Sequence, residues 1–172
     1  MEQDRKKQTG SQSGMGKEHE ADELNRLLSS WLHSSIRIMD IRHIRLEPEE
    51  LLQPYRLPAQ AFVLVLQGSV RLGDEWNDTT HSGYILHGSK GFELKIAPSN
   101  RGIEYVLVLY KATSLAGHAV HHLPAIAHGF IPPYPVMLYQ KLQLLVRAWQ
   151  DQDALSRVQA QSRFFDFAYE FM

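Results

Sequence analysis

The chain has 172 residues, with 18 Lys+Arg against 19 Asp+Glu for a formal charge of −1, and it contains no cysteine. One domain of roughly 100–200 residues accounts for the length, and 44% hydrophobic residues are enough to build its core. The charge balance excludes a free-standing nucleic-acid binder of the usual kind, which needs a basic excess to neutralise phosphates. The lack of cysteine excludes disulfides, thiolate nucleophiles and Cys-based metal sites, as suits a cytoplasmic protein.

Residues 1–16, MEQDRKKQTGSQSGMG, contain no Ile, Leu, Val or aromatic residue. They read as a disordered tail, because nothing in them offsets the entropy of ordering. They also lack the apolar stretch of about 7–15 residues that an export signal needs. The longest apolar run, Ala61–Leu66, falls far short of the ~20 residues of a spanning helix, so no membrane is expected among the partners. Residues 17–34 predict an N-terminal helix. Leu24, Leu27, Leu28, Trp31 and Leu32 recur at i, i+3, i+4, i+7 and i+8. Glu18, Glu20, Asp22 and Glu23 load its first half with the negative charge that the helix dipole favours.

From Ile36 the period drops to two. Ile36 and Ile38, then Ile41, Ile44 and Leu46, predict one strand with a bulge near Met39–Asp40. Pro48, Pro54 and Pro58 predict turns. Runs rich in Val, Ile, Leu, Phe or Tyr at 61–66, 69–73, 83–87, 92–97 and 103–111 predict short strands bounded by turn residues. Gln67-Gly68 is short enough for a tight hairpin turn between the first two. No crossover helix fits between 61 and 111, so the sheet is expected to be antiparallel, a sandwich or small barrel. A His- and Pro-rich connector, with strands near His118–Leu123 and Gly129–Ile131, completes a β-domain over 35–134.

After Pro135 the period returns to 3.6. Leu138, Leu142, Leu145 and Trp149 step by four, three and four. Leu155, Val158, Ser162, Phe165, Tyr169 and Met172 do the same in a second helix, with Asp153 as its N-cap. Residues 135–172 therefore predict an antiparallel helical hairpin. The seam Leu138–Trp149 has coiled-coil spacing and suits two jobs, packing on the β-domain or pairing with a second copy. Met137, Leu144 and Val146 widen it enough for both.

Signals for catalysis are weak. There is no Gly-x-Ser-x-Gly elbow and no Gly-x-Gly-x-x-Gly leading into a helix. His118, His121 and His122, with His128 beyond, have spacings that suit zinc on a helix. Pro124 and the flanking glycines instead put them in loop or strand, where His118 and His122 lie too far apart for one metal. No catalytic residue, metal ligand or cofactor is assigned. The segment His87-Gly88-Ser89-Lys90-Gly91 presents a His and a Lys on a glycine-bent turn. His87 and Lys90 are the expected polar anchors for a small ligand, with Tyr84 and Tyr105 as walls and Arg71 as a charge partner. Arg37 joins them if the first strand lines the mouth.

Three stretches together resemble the N-terminal sensor and dimerisation domain of AraC-type bacterial transcription regulators. They are Phe62-Val63-Leu64-Val65-Leu66-Gln67-Gly68-Ser69-Val70, then His81-Ser82-Gly83-Tyr84-Ile85-Leu86-His87-Gly88, and the ending from Gln159 to Met172. The resemblance spans roughly residues 35–172 and rests on their conjunction. It implies a mainly β fold with helices: an antiparallel cupin-like barrel (double-stranded β-helix or jelly roll) followed by the two-helix hairpin. It further implies a small-molecule effector inside the barrel and a homodimer through Leu138, Leu142, Leu145 and Trp149. DNA binding is implied only through a C-terminal helix-turn-helix half beyond this sequence. The loop at His87 looks similar to regulators of siderophore or iron uptake; sugars are the other effector class the family suggests. The rival reading is a cupin-fold metalloenzyme, an isomerase or dioxygenase. Metal-binding cupins carry His-x-His shortly after a glycine. Here Gly68 leads to Ser69-Val70-Arg71-Leu72-Gly73 and then Asp74-Glu75, neighbours that point to opposite faces of a regular strand.

Overall fold

A computed structural model describes residues 25–48, 50, 54–72, 83–97, 100–115, 128–130, 132, 134–151 and 153–170. Helix α1 is described over 25–32. Strands follow as β1 (Ser34–Leu46), β2 (Tyr55–Arg56), β3 (Gln60–Gln67), β4 (Ser69–Leu72), β5 (Ile85–Gly88), β6 (Glu93–Ala97), β7 (Ile103–Ser114) and β8 (His128–Phe130). Helices α2 (Pro135–Gln150) and α3 (Ala154–Tyr169) end the series. Every strand pairing is antiparallel, in a five-stranded sheet ordered β1-β7-β3-β5-β8 and a three-stranded sheet ordered β2-β6-β4. The chain is thus mainly antiparallel β with helices at its C-terminal end. The tail 1–16, the first part of the predicted N-terminal helix and the strand expected at His118–Leu123 fall outside the described residues.

The irregular spacing of isoleucines in β1 has the anticipated cause. Its register against β7 shifts between Ile38 and Asp40, leaving Met39 as the extra residue of a bulge. One inserted residue exchanges the two faces of a strand. Ile38 and Ile41 therefore share one face, opposite Tyr110 and Val108, whereas Ile44 and Leu46 lie opposite Tyr105 and Ile103 on the other.

The expected hairpin at Gln67-Gly68 does not form. β3 pairs with β5 and β7, while β4 pairs with β6, so the chain crosses from one sheet to the other at Gly68. Gly68 has φ +83° and lies against Gly102, itself at φ +75°. A Cβ on Gly68 would approach the Gly102 carbonyl oxygen to 3.0 Å, and one on Gly102 would run into the carbonyl oxygen of Leu46. Two glycines are needed because two backbones meet where the sheets part.

Each face of the large sheet has its own core. Between the sheets lie Leu57, Ala61, Val63, Val65, Val70, Leu86, Leu94, Ile103, Tyr105, Leu107 and Leu109. On the opposite face Phe62, Leu64, Ile85, Val106, Val108 and Tyr110 are covered by the helices. This explains why β3 and β7 read as nearly continuous apolar runs: both of their faces are buried.

The helices are set by local rules as well as by that face. Pro135 occupies the first turn of α2, where its missing N–H costs nothing. Asp153 caps α3 as predicted, its carboxylate accepting from the Ser156 amide at 2.9 Å. Leu138, Leu142 and Leu145 turn into the core of their own chain with 0–1% exposure, and the half-buried Trp149 is covered by the Arg157 guanidinium at 3.7 Å. The seam expected to pair protomers is therefore occupied within the chain; three buried leucines have no surface left for a partner. In α3 the docked face is Ala160, Phe164, Phe167 and Ala168. Most of the predicted stripe points outward, with Leu155 67%, Val158 68% and Tyr169 78% exposed, while Phe165, 44% exposed, also lies edge-on to Trp31 at 6.2 Å. Both stripes are apolar at helical spacing.

Candidate functional site

Along β7 the helix-facing residues run Tyr110, Val108, Val106 and Glu104, passing from dense aromatic cover through leucine cover to an open end. At the Tyr110 end, Trp31 of α1 lies edge-on to Phe62 and Tyr110, with ring centroids 6.0 and 5.4 Å away. Phe164 of α3 closes the cluster 5.6 Å from Tyr110. His87 is part of it, 4.8 Å from the Phe62 ring, and its Nε2 is hydrogen-bonded to the Tyr110 hydroxyl at 2.7 Å. Burial holds the Tyr110 phenol protonated well above its ordinary range. The Trp31 N–H is close enough to that hydroxyl to favour the ionised form, without meeting hydrogen-bond geometry. Ser30 Oγ, Trp31 Nε1 and Gln60 Oε1 are buried without a hydrogen-bond partner among the described residues.

The structure separates the residues expected to line one pocket. His87 faces the helices, because its parity on β5 is that of Ile85, while Leu86 faces the space between the sheets. Tyr105 does face that space, where burial and then the neighbouring Tyr55 push its phenol up to about 12. Lys90 is exposed on the turn after β5, so it and His87 are directed apart. Tyr84 is half-buried, its carbonyl accepting from the Val65 amide at 3.1 Å. Arg37 is exposed on the edge strand β1, opposite Lys111. Arg71 sits opposite Lys95 in the small sheet; its side chain lies outside what the structure describes. The histidines at 118, 121 and 122 and the pair Asp74 and Glu75 fall outside the described residues, as does the side chain of His128. Among the described residues no three His, Asp or Glu side chains converge as metal ligands would.

At the open end the sheet and α2 diverge. A cleft of about 420 Å³ lies between Leu64, Leu66, Glu104, Pro132, Pro135 and Tyr139. A second, of about 200 Å³, lies between His43, Leu66, Val106, Tyr139, Val146 and Arg147. They share Leu66 and Tyr139 and lie side by side in the groove along α2. His43 Nε2 contacts Glu104 Oε1 at 2.7 Å across the sheet side. The exposed Arg147, in the last turn of α2, has no acidic partner among the described residues.

These groove residues escaped the sequence reading, although a signal for them was present. In β7 Glu104 ends the apolar row Val106, Val108, Tyr110, and in β1 His43 follows Ile41 in the same parity. A polar residue at the end of an apolar row marks where cover stops. The hairpin that forms the other wall is held to β1 by Gln161. Its Nε2 donates to the Ile36 carbonyl at 3.0 Å, and its Oε1 accepts from the Ile38 amide at 3.2 Å. Lys141 of α2 and Glu170 after α3 are joined by an ion pair.

No protein-family profile and no curated protein matches the sequence. Among solved structures the chain is similar to an apo ToxT variant from Vibrio cholerae strain SCE256, with a TM-score of 0.43 and 11% identity. That overlap covers 79% of this chain and 53% of the other, so the chain spans about half the length of that ToxT structure. A second ToxT structure from Vibrio cholerae gives a TM-score of 0.26 at 12% identity, over 45% of this chain and 30% of that one. ToxT is an AraC-family regulator.

Proposed function

We propose that the chain is the effector-binding and dimerisation part of an AraC-type transcription regulator, responding to a small metabolite and passing the signal to a DNA-binding helix-turn-helix half. The observation that carries this reading is the two-faced helix α3. Its inner face is keyed to the β-core by Phe164, Phe167 and the Gln161 clamp. Its outer face repeats Leu155, Val158, Ser162, Phe165 and Tyr169 at steps of three and four, the spacing of a coiled-coil seam. The stripe has two larger apolar side chains on either side of Ser162, a pattern compatible with antiparallel two-fold pairing of two copies. The homodimer is thus assigned to the outer face of α3 rather than to the leucines of α2. A ligand that reseats α2 or α3 on the sheet alters how two copies meet, by binding the two arrangements unequally.

Size-exclusion chromatography with light scattering tests this. The wild-type chain is expected at twice the monomer mass, and Leu155→Glu and Val158→Glu at the monomer mass with unchanged circular dichroism. A dimer that survives both substitutions, or a monomeric wild type at high micromolar concentration, refutes the assignment.

A further inference from the structure

We propose that the groove between α2 and the open end of the five-stranded sheet binds a small amphipathic anion, an aromatic or aliphatic body carrying one carboxylate or similar group. The site lies outside the space between the sheets, and it rests on the reading of the chain as an effector-binding part.

Volume, lining and charge each bear on the occupant. Of the two neighbouring clefts, the larger, of about 420 Å³, falls in the size range of small-molecule pockets, and the smaller adds about 200 Å³ beside it. Their junction is the apolar pair Leu66 and Tyr139, which suits a flat or linear hydrocarbon body. On the sheet side Glu104, at the wider cleft, meets the His43 ring at 2.7 Å. The narrower cleft is lined by Arg147 and, among the described residues, by no carboxylate, away from the apolar Pro132 and Pro135. A guanidinium offers a planar fork to a carboxylate, and partial desolvation in a groove strengthens the pairing. The anionic group therefore lies at Arg147 and the body runs past Tyr139 toward Pro135. The ligand touches one sheet and one helix. Its binding changes the seating of α2, which Lys141 links to the end of α3.

The probes are naphthoate, the neutral naphthalene methanol and the cationic naphthylmethylammonium, each titrated by displacement of anilinonaphthalene sulfonate fluorescence. Naphthoate is expected to bind about 10-fold more tightly than the alcohol, the scale of one charge-assisted hydrogen bond, and the ammonium compound not to compete. Arg147→Gln is expected to erase the preference for the anion, Tyr139→Ala to weaken acid and alcohol alike, and Arg37→Gln, on the edge strand, to change neither. Equal affinity of acid and alcohol in the wild type overturns the proposal. So does an anion preference that follows Arg37 rather than Arg147, or no saturable binding at all. The titrations are repeated on the Val158→Glu variant. Absent binding beside an intact wild-type dimer removes this site and leaves the dimerisation reading standing, and binding by a chain that never dimerises does the reverse.

Discussion

Replacing Tyr110 by Phe removes one oxygen from the most buried part of the helix-facing core. Tyr110 is 0% exposed and His87 5% exposed. Loss of the hydroxyl removes the 2.7 Å partner of His87 Nε2. The penalty for removing one partner of a buried hydrogen bond is about 1–3 kcal/mol. His87→Leu strands the Tyr110 hydroxyl in the same way and costs a similar amount. The double substitution removes both halves of the pair, and replacing both partners by apolar groups is close to neutral as far as the hydrogen bond is concerned. The two single losses should therefore together exceed the double loss by about 2–6 kcal/mol, well beyond the ~0.3–0.5 kcal/mol within which independent sites add. Urea unfolding followed by tryptophan fluorescence is the assay, since Trp31 lies 5.4 Å from the Tyr110 ring and reports on this cluster. Strict additivity would falsify the claim that the pair acts as one buried unit.

Three further outcomes follow from the same structure. Gly91→Ala and Gly102→Ala both force a positive φ on a residue with a Cβ, at about 1–2 kcal/mol. Only Gly102 has a carbonyl in the way, so its substitution should cost clearly more in urea unfolding; equal losses would refute the close approach of the Leu46 backbone. In the Val158→Glu background, expected to be monomeric, Leu142→Ala should lower stability by about 2–5 kcal/mol through a cavity under α2, whereas Leu155→Ala on the exposed stripe should leave stability almost unchanged. Comparable losses in thermal unfolding would mean that the two faces have been confused. Tyr105, pushed up to about 12, keeps its proton in the folded chain where the unfolded chain ionises near pH ~10. The folded state then binds more protons, so its contribution is full below about pH 10 and is lost as the pH rises toward 12. Tyr105→Phe should flatten that decline in urea titrations, and an unchanged slope would count against burial as the cause.

Much of the architecture was legible because it depends on period and punctuation. The bulge near Met39, the strands around 61–66 and 103–111, the Asp153 cap and the two C-terminal helices all follow from local rules, and each is present. The hairpin at Gln67-Gly68 was misjudged for a physical reason. A short glycine link serves equally to reverse a chain within one sheet or to pass it to another, and the partner strands, distant in sequence, decide which. The expected ligand set shows the same limit. His87 and Tyr105 are both polar residues in apolar strands, and composition cannot say that one faces the helices and the other the second sheet. One bulge or one residue of register exchanges those faces.

The alternation of periods and the turn residues between them were thus enough to determine an antiparallel β-domain followed by a helical hairpin. They also found two apolar stripes, one on α2 and one on α3. Only the packed structure decided which stripe serves the core. The leucines of α2 are buried beside Val106 and Val108, while Leu155, Val158, Phe165 and Tyr169 remain outside. The reason is that helical periodicity reports an apolar face without its direction. Direction comes from what lies opposite, and here that is a sheet with both faces apolar and aromatic anchors at one end.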